Sequence, residues 1–124
     1  MSVYVQSFRY ALAGVIGAVR RGRNFRLMLA IFLPVIAAGF LFSISETEWL
    51  AVLLCAGGAF ALELVNTAIE HAVDLTTERP HPLTKAAKDA AAGAVLVWCV
   101  LSAAIGFIIF IPYVSDYVAN VAKQ

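Results

Sequence analysis

Three long apolar runs, near residues 27–45, 49–69 and 91–114, leave this chain few ways to fold. Each is about long enough to cross the ~30 Å hydrocarbon core of a bilayer as a helix. Inside a bilayer the backbone must satisfy its own hydrogen bonds, which selects helices for such runs. Of 124 residues, 62% are hydrophobic and 14% charged, where a soluble domain carries about 25% charged residues. The predicted fold is therefore all-α integral membrane, one domain over 1–124 with no room for a separate soluble unit. A marginal apolar stretch over 2–20, interrupted by Ser7 and Arg9, reads as an amphipathic helix lying in the interface. The spans are expected at about 27–45, 49–74 and 85–111.

Charge orients the spans. Residues 1–26 hold Arg9, Arg20, Arg21, Arg23 and Arg26 and no acid, and the 76–90 connection holds Arg79, Lys85 and Lys88. The 46–48 turn holds Glu46 and Glu48 and no base. Eight of the nine basic residues thus flank one side. By the positive-inside rule that side is cytoplasmic, with the N-terminus inside and the C-terminus outside. Trp49 and Tyr113 fall at outer span ends, where interfacial aromatics belong. The first run starts too late and lacks a small-x-small site, so it reads as a retained span and not a signal peptide. Cys55 and Cys99 both lie within spans and read as buried free thiols. Pro34 should bend the first span. "TTERPHPLT" should break the second helix from the third, with Thr84 capping the third and Pro112 ending it. Gly57/Ala61 and Ser102/Gly106 are small-residue pairs suited to close helix contact.

The second span ends in "ELVNTAIEHAVD", residues 63–74. At about 100° per residue, Glu63, Asn66, Glu70 and Asp74 fall within roughly 80° of one helix face. Trp49 precedes Glu63 by fourteen residues, about 21 Å of helix. With Trp49 at the outer interface, Glu63 is still inside the apolar layer and Asp74 is beyond it. An ionised carboxylate facing lipid at that depth costs several kcal/mol. Glu63 must be protonated, paired or turned to a polar cavity. For a lone Asn66 a structural contact between helices would suffice. Several acids on one face without matching bases make poor structure but a good hard-cation site, particularly when a substrate phosphate completes the shell. Lys85, Lys88 and Asp89 open the third helix, where free backbone N–H groups favour anions. For Lys85, ordinary loop charge is an equal reading. The ensemble suggests phosphoryl transfer from a nucleotide to a membrane-embedded alcohol. No Walker-type or kinase glycine loop is present, and nothing calls for nucleic acid. A proton- or ion-translocating subunit built on Glu63 is the rival outside enzymology.

"ELVNTAIEHAVDL" and "HPLTKAAKDAAAGAVL", fourteen residues from Asp74 to Lys88, resemble the two motifs of the small bacterial membrane lipid kinases, prokaryotic diacylglycerol kinase and undecaprenol kinase. The resemblance covers nearly the whole chain, and the second motif with "GFIIF" looks more like the undecaprenol branch. It implies a homotrimer in the bacterial inner membrane using ATP and Mg²⁺. It implies Glu63 as general base toward the lipid hydroxyl and Asn66 as the group orienting base or phosphate. Glu70 would hold metal, and Asp74, Lys88 and Asp89 would contact nucleotide. One position departs: "RRGRNFR" places Gly22 where the family carries a second metal carboxylate, and no acid occurs in residues 1–45 to replace it. A natural variant with water and phosphate ligands, an inactivated chain and a homologue with altered activity all fit that departure. A catalytically impaired relative that binds nucleotide or lipid is therefore the second reading.

Overall fold

A computed structural model describes residues 2–76 and 81–123. Four helices make up the described chain: α1 Val3–Arg21, α2 Arg23–Phe42, α3 Glu46–Thr76 and α4 Pro82–Val121. The last three are long and apolar enough to cross a membrane. The chain is an all-helical, multi-pass membrane protein. α1 contains no buried residue, as a surface helix would not.

The junctions follow from local chemistry. Gly22 alone separates α1 from α2, ending one helix and starting the next. Its N–H bonds Ala18 O at 2.8 Å, and its own carbonyl accepts from Arg26 N at 3.2 Å. A Cβ at Gly22 would stand 2.6 Å from Ala18 O, so the one-residue corner depends on glycine. α2 ends with Ser43 in the left-handed region at φ 51. Its N–H bonds Phe40 O, and Ile44 N–H bonds Gly39 O, which closes the helix end. α3 starts at once with a capping box, S-x-x-E. Glu48 Oε2 accepts from Ser45 N and Ser45 Oγ, each at 2.7 Å, while Glu48 N–H reaches Ser45 Oγ at 3.4 Å.

α3 and α4 run antiparallel and are tied at three levels. Tyr113 Oη donates to Glu48 Oε2 at 2.8 Å at one end. Trp98 Nε1 donates to Cys55 O at 2.9 Å in the middle. Lys88 Nζ pairs with Asp74 Oδ1 at 2.5 Å at the other end. The middle tie requires Gly58, because a Cβ there would overlap the Trp98 indole. Two apolar clusters fill the bundle. One joins Met28, Ala59 and Val95 with Phe32, Phe60 and Trp98, and the other joins Ile44, Val52 and Ile109 with Trp49 and Phe110. Large apolar side chains such as Leu54, Leu101, Phe107 and Ile108 point outward, the reverse of a soluble protein.

Four local expectations change. α4 passes through Pro112 for nine more residues. A proline deletes one helical hydrogen bond, and Tyr113, held by Glu48, keeps the next turn in place. α4 is capped by His81, whose Nδ1 accepts from Leu83 N at 3.2 Å. Thr84 Oγ1 instead donates to His81 O at 2.7 Å. The pairs Gly57/Ala61 and Ser102/Gly106 do not seat a helix contact within the chain: a Cβ on Gly57 or Gly106 would meet nothing within 4 Å. The close approach is one residue along, at Gly58. The first span begins four residues earlier than expected, at Arg23, and Pro34 lies inside it. Part of the expected "TTERPHPLT" break, residues 77–80, lies outside the described residues. Cys55 and Cys99 are free thiols, as expected, Cys55 buried and Cys99 only half-buried.

Candidate functional site

At 31 residues, α3 is about 46 Å long, well beyond a ~30 Å apolar core. The polar stripe lies on the half of α3 away from the Ser43–Ser45 turn. Among the described residues, Glu63 and Asn66 are the buried polar side chains, 5% and 4% exposed. Each has an oxygen without a hydrogen-bond partner: Glu63 Oε2 and Asn66 Oδ1. Buried polar atoms in folded proteins are nearly always paired. The two orphans lie three residues apart on one face of α3. Asn66 Nδ2 donates to Glu70 Oε1 at 3.4 Å, linking the next step of the stripe.

Glu63 and Glu70 open into a cleft of about 820 Å³. Its far wall is the small-residue face of α1, including Gly14 and Gly17, and its end is the α1–α2 corner with Arg21, Gly22 and Asn24. Alanines and glycines on α1 leave this space open: a Cβ on Gly14 would meet nothing within 4 Å. Thr67 and His71 of α3 also line it. Glu63 and Glu70 thus face a half-polar cleft, one of the three conditions under which a carboxylate can stay in an apolar layer. Gly22 does lie in the same cleft as Glu70, but it contributes no ligand. The described residues contain no group of three His, Cys, Asp or Glu side chains placed to hold a metal.

Asp74, Lys88 and Asp89 form a second group and do not line this cleft. Lys88 binds Asp74 across the helices, and Lys85 Nζ binds Asp89 Oδ2 at 2.6 Å one turn apart. The two groups share α3, with Asp74 one turn beyond Glu70. A separate apolar groove of about 530 Å³ runs between α2 and α4 along residues such as Phe32, Val35, Cys99 and Phe107.

Arg21, Asn24, Thr67 and His71 belong to the cleft and were not singled out by motif. Thr67 and His71 fall within roughly 80° of Glu63 on the same wheel, so helical period alone finds them. Arg21 and Asn24 flank Gly22, and only the sharp corner turns them toward α3.

The prokaryotic diacylglycerol kinase family model matches residues 9–110. An undecaprenol kinase of Bacillus subtilis is 50% identical over 109 residues, covering 88% of this chain and 89% of that protein. A diacylglycerol kinase of Synechocystis is 40% identical over 107 residues, 86% of this chain and 61% of that protein. A diacylglycerol kinase of Pseudomonas aeruginosa is 35% identical over 88 residues, 71% of this chain and 72% of that protein. The matched region runs from α1 into the last third of α4 and includes every residue of the cleft and of the Asp74–Lys88 pair. On this agreement along its length, the chain belongs to the prokaryotic diacylglycerol kinase family.

Proposed function

We propose that this protein transfers the γ-phosphoryl group of ATP to the hydroxyl of a membrane lipid, undecaprenol ahead of diacylglycerol. The observation that carries the reading is the orphaned pair Glu63 Oε2 and Asn66 Oδ1, both buried, with Glu63 on the wall of a cleft. A lipid hydroxyl there donates its hydrogen to Glu63 Oε2. The hydroxyl oxygen attacks the γ-phosphorus, the bond from that phosphorus to the bridging oxygen of ADP breaks, and the proton passes to Glu63. Asn66 holds Glu70 through its amide and presents Oδ1 to the reacting groups. Arg21 and Arg23 line the cleft and supply positive charge toward phosphate. Lys88 meets the nucleotide phosphates on exchanging its bond with Asp74, and Asp74 and Asp89 lie toward the nucleoside. The apolar groove beside Cys99 suits the lipid's hydrocarbon chain. Undecaprenol is placed first because the 50% identical relative is an undecaprenol kinase.

The oxygen donors Glu63, Asn66 and Glu70 fit Mg²⁺, which binds few protein ligands and keeps waters and substrate phosphates. Glu70 is the residue to hold it, where it would offset charge on the transferring phosphoryl group. One carboxylate short at Gly22, the site relies on water and phosphate oxygens for the rest of the shell. The N-terminus and the α3–α4 connection are cytoplasmic, α1 lies on the inner surface of the bacterial cytoplasmic membrane, and a homotrimer covers outward apolar faces of α2 and α4.

The test is phosphorylation of undecaprenol and of diacylglycerol by purified protein with radiolabelled ATP and Mg²⁺. Undecaprenol should be the faster acceptor. Glu63→Gln should lower kcat by about 10²–10⁴-fold, the usual worth of a general base. Phosphorylation of neither lipid would overturn the reading and favour the impaired relative that Gly22 suggests. Gly22→Glu is a poor rescue, because its Cβ would collide with Ala18 O unless the corner opens.

A further inference from the structure

The cleft beside Glu63 carries opposite charges in equal number. Glu63 and Glu70 lie on its α3 wall, and Arg21 and Arg23 lie at the α1–α2 corner. Among the described residues no third carboxylate lines it. Arg21 is held toward the cleft by its own helix. It belongs to the last turn of α1, where the helix dipole favours a cation. Its guanidinium folds back over Gly17, another residue of the cleft wall: a Cβ on Gly17 would stand 3.4 Å from Arg21 Nη2. Yet among the described residues no ion pair joins Arg21 to Glu63 or Glu70, whereas Asp74 and Asp89 are paired with Lys88 and Lys85. A space of about 820 Å³ is on the order of one Debye length, ~8 Å, across. Over that distance the arginines offset the field of the carboxylates without touching them.

The geometry points to Arg21 as the cleft's counter-charge before a nucleotide binds and a phosphate ligand afterwards, so that a divalent cation enters only together with a nucleoside triphosphate. This rests on the lipid-kinase reading above. A hard cation is drawn to a site with surplus negative charge and several oxygen ligands. Here Glu70 is the one cleft carboxylate left once Glu63 serves as base, and two guanidinium groups face an incoming cation. A polyphosphate changes both conditions. Its oxygens pair with the Arg21 guanidinium, whose planar fork suits phosphate. They also supply the metal ligands that the protein lacks. Metal and nucleotide then raise each other's affinity by the same factor, as linkage requires.

Equilibrium dialysis of the purified protein in detergent against Mn²⁺, with and without a non-hydrolysable ATP analogue, tests this. The analogue should raise the affinity of the protein for Mn²⁺ by at least about tenfold, within the usual range of coupling. Mn²⁺ should tighten binding of the analogue by the same factor. Mn²⁺ held as tightly without the analogue as with it overturns the proposal. Arg21→Gln gives a sharper test, and because Arg21 is exposed its replacement leaves the core intact. The variant should bind Mn²⁺ alone more tightly than wild type and the analogue more weakly, two shifts of opposite sign. Affinities that both move the same way, or do not move, overturn the proposal. Arg20→Gln, in the same turn of α1 but not lining the cleft, should change neither. None of these measurements needs a lipid. A protein that binds Mn²⁺ and analogue together but phosphorylates neither lipid would end the kinase reading and support the role of Arg21. One that phosphorylates a lipid and holds Mn²⁺ alone would do the reverse.

Discussion

Glu63 and Asp74 lie on one stripe, yet the fold treats them oppositely. Glu63 is 5% exposed with an unpaired oxygen, whereas the Asp74 side chain is 63% exposed and bound to Lys88. In the proposed reaction the first serves as the base and the second exchanges its partner. A solvent-accessible ion pair contributes about 0–1 kcal/mol to stability. Lys88→Ala should therefore leave the thermal midpoint almost unchanged while raising KM for ATP about tenfold or more, the scale of one lost charge-assisted hydrogen bond. An ATP titration of lipid phosphorylation beside a melting curve checks both halves. The candidate residues on α3 were legible from spacing alone, because helical periodicity sets direction. That Glu63 shares a cleft with Asn24 was not legible. It depends on a corner between two other helices, and no periodicity spans a corner.

At the scale of the helices, ends and crossing points decide stability. Ser43 holds the left-handed conformation at the end of α2, which suits glycine better than any residue with a Cβ. Ser43→Gly should raise stability by about 0.5–1 kcal/mol, read as a higher thermal midpoint in detergent. Gly58→Ala should do the reverse. Its Cβ would enter the Trp98 ring, and overpacking of this kind costs about 1–3 kcal/mol. It should also loosen the Trp98 bond to Cys55 O, visible as a change in tryptophan fluorescence. Small-residue patterns could not distinguish Gly58 from Gly57. Both are adjacent glycines in an apolar helix, and only the rotation of α3 against α4 chooses one. Pro112 teaches a related lesson. A proline marks a local loss of one hydrogen bond, but whether the helix stops is decided by what holds the next turn, here Tyr113 on Glu48.

Across the whole molecule, the uneven charge and the antiparallel helices make one orientation testable. α4 is 40 residues long, about 60 Å, so both of its ends leave a ~30 Å core. A single cysteine introduced by Ser115→Cys should react with a membrane-impermeant maleimide in cells whose outer membrane is permeabilised. One introduced by Thr84→Cys should react only after lysis. The opposite labelling pattern would invert the topology and place the cleft on the outside, away from cytoplasmic ATP.

Hydrophobicity, charge and helical period act along the chain, and they were enough to determine three spans, their proposed orientation and the stripe from Glu63 to Asp74. Where the stripe faces was decided only in three dimensions. The small-residue face of α1, the one-residue corner at Gly22 and the first turn of α2 come together around Glu63, while Asp74 and Lys88 pair elsewhere. The physical reason is that a cleft is made by the absence of side chains on separate helices. Alanines and glycines spaced along α1 carry no chemical signature until another helix is placed opposite them.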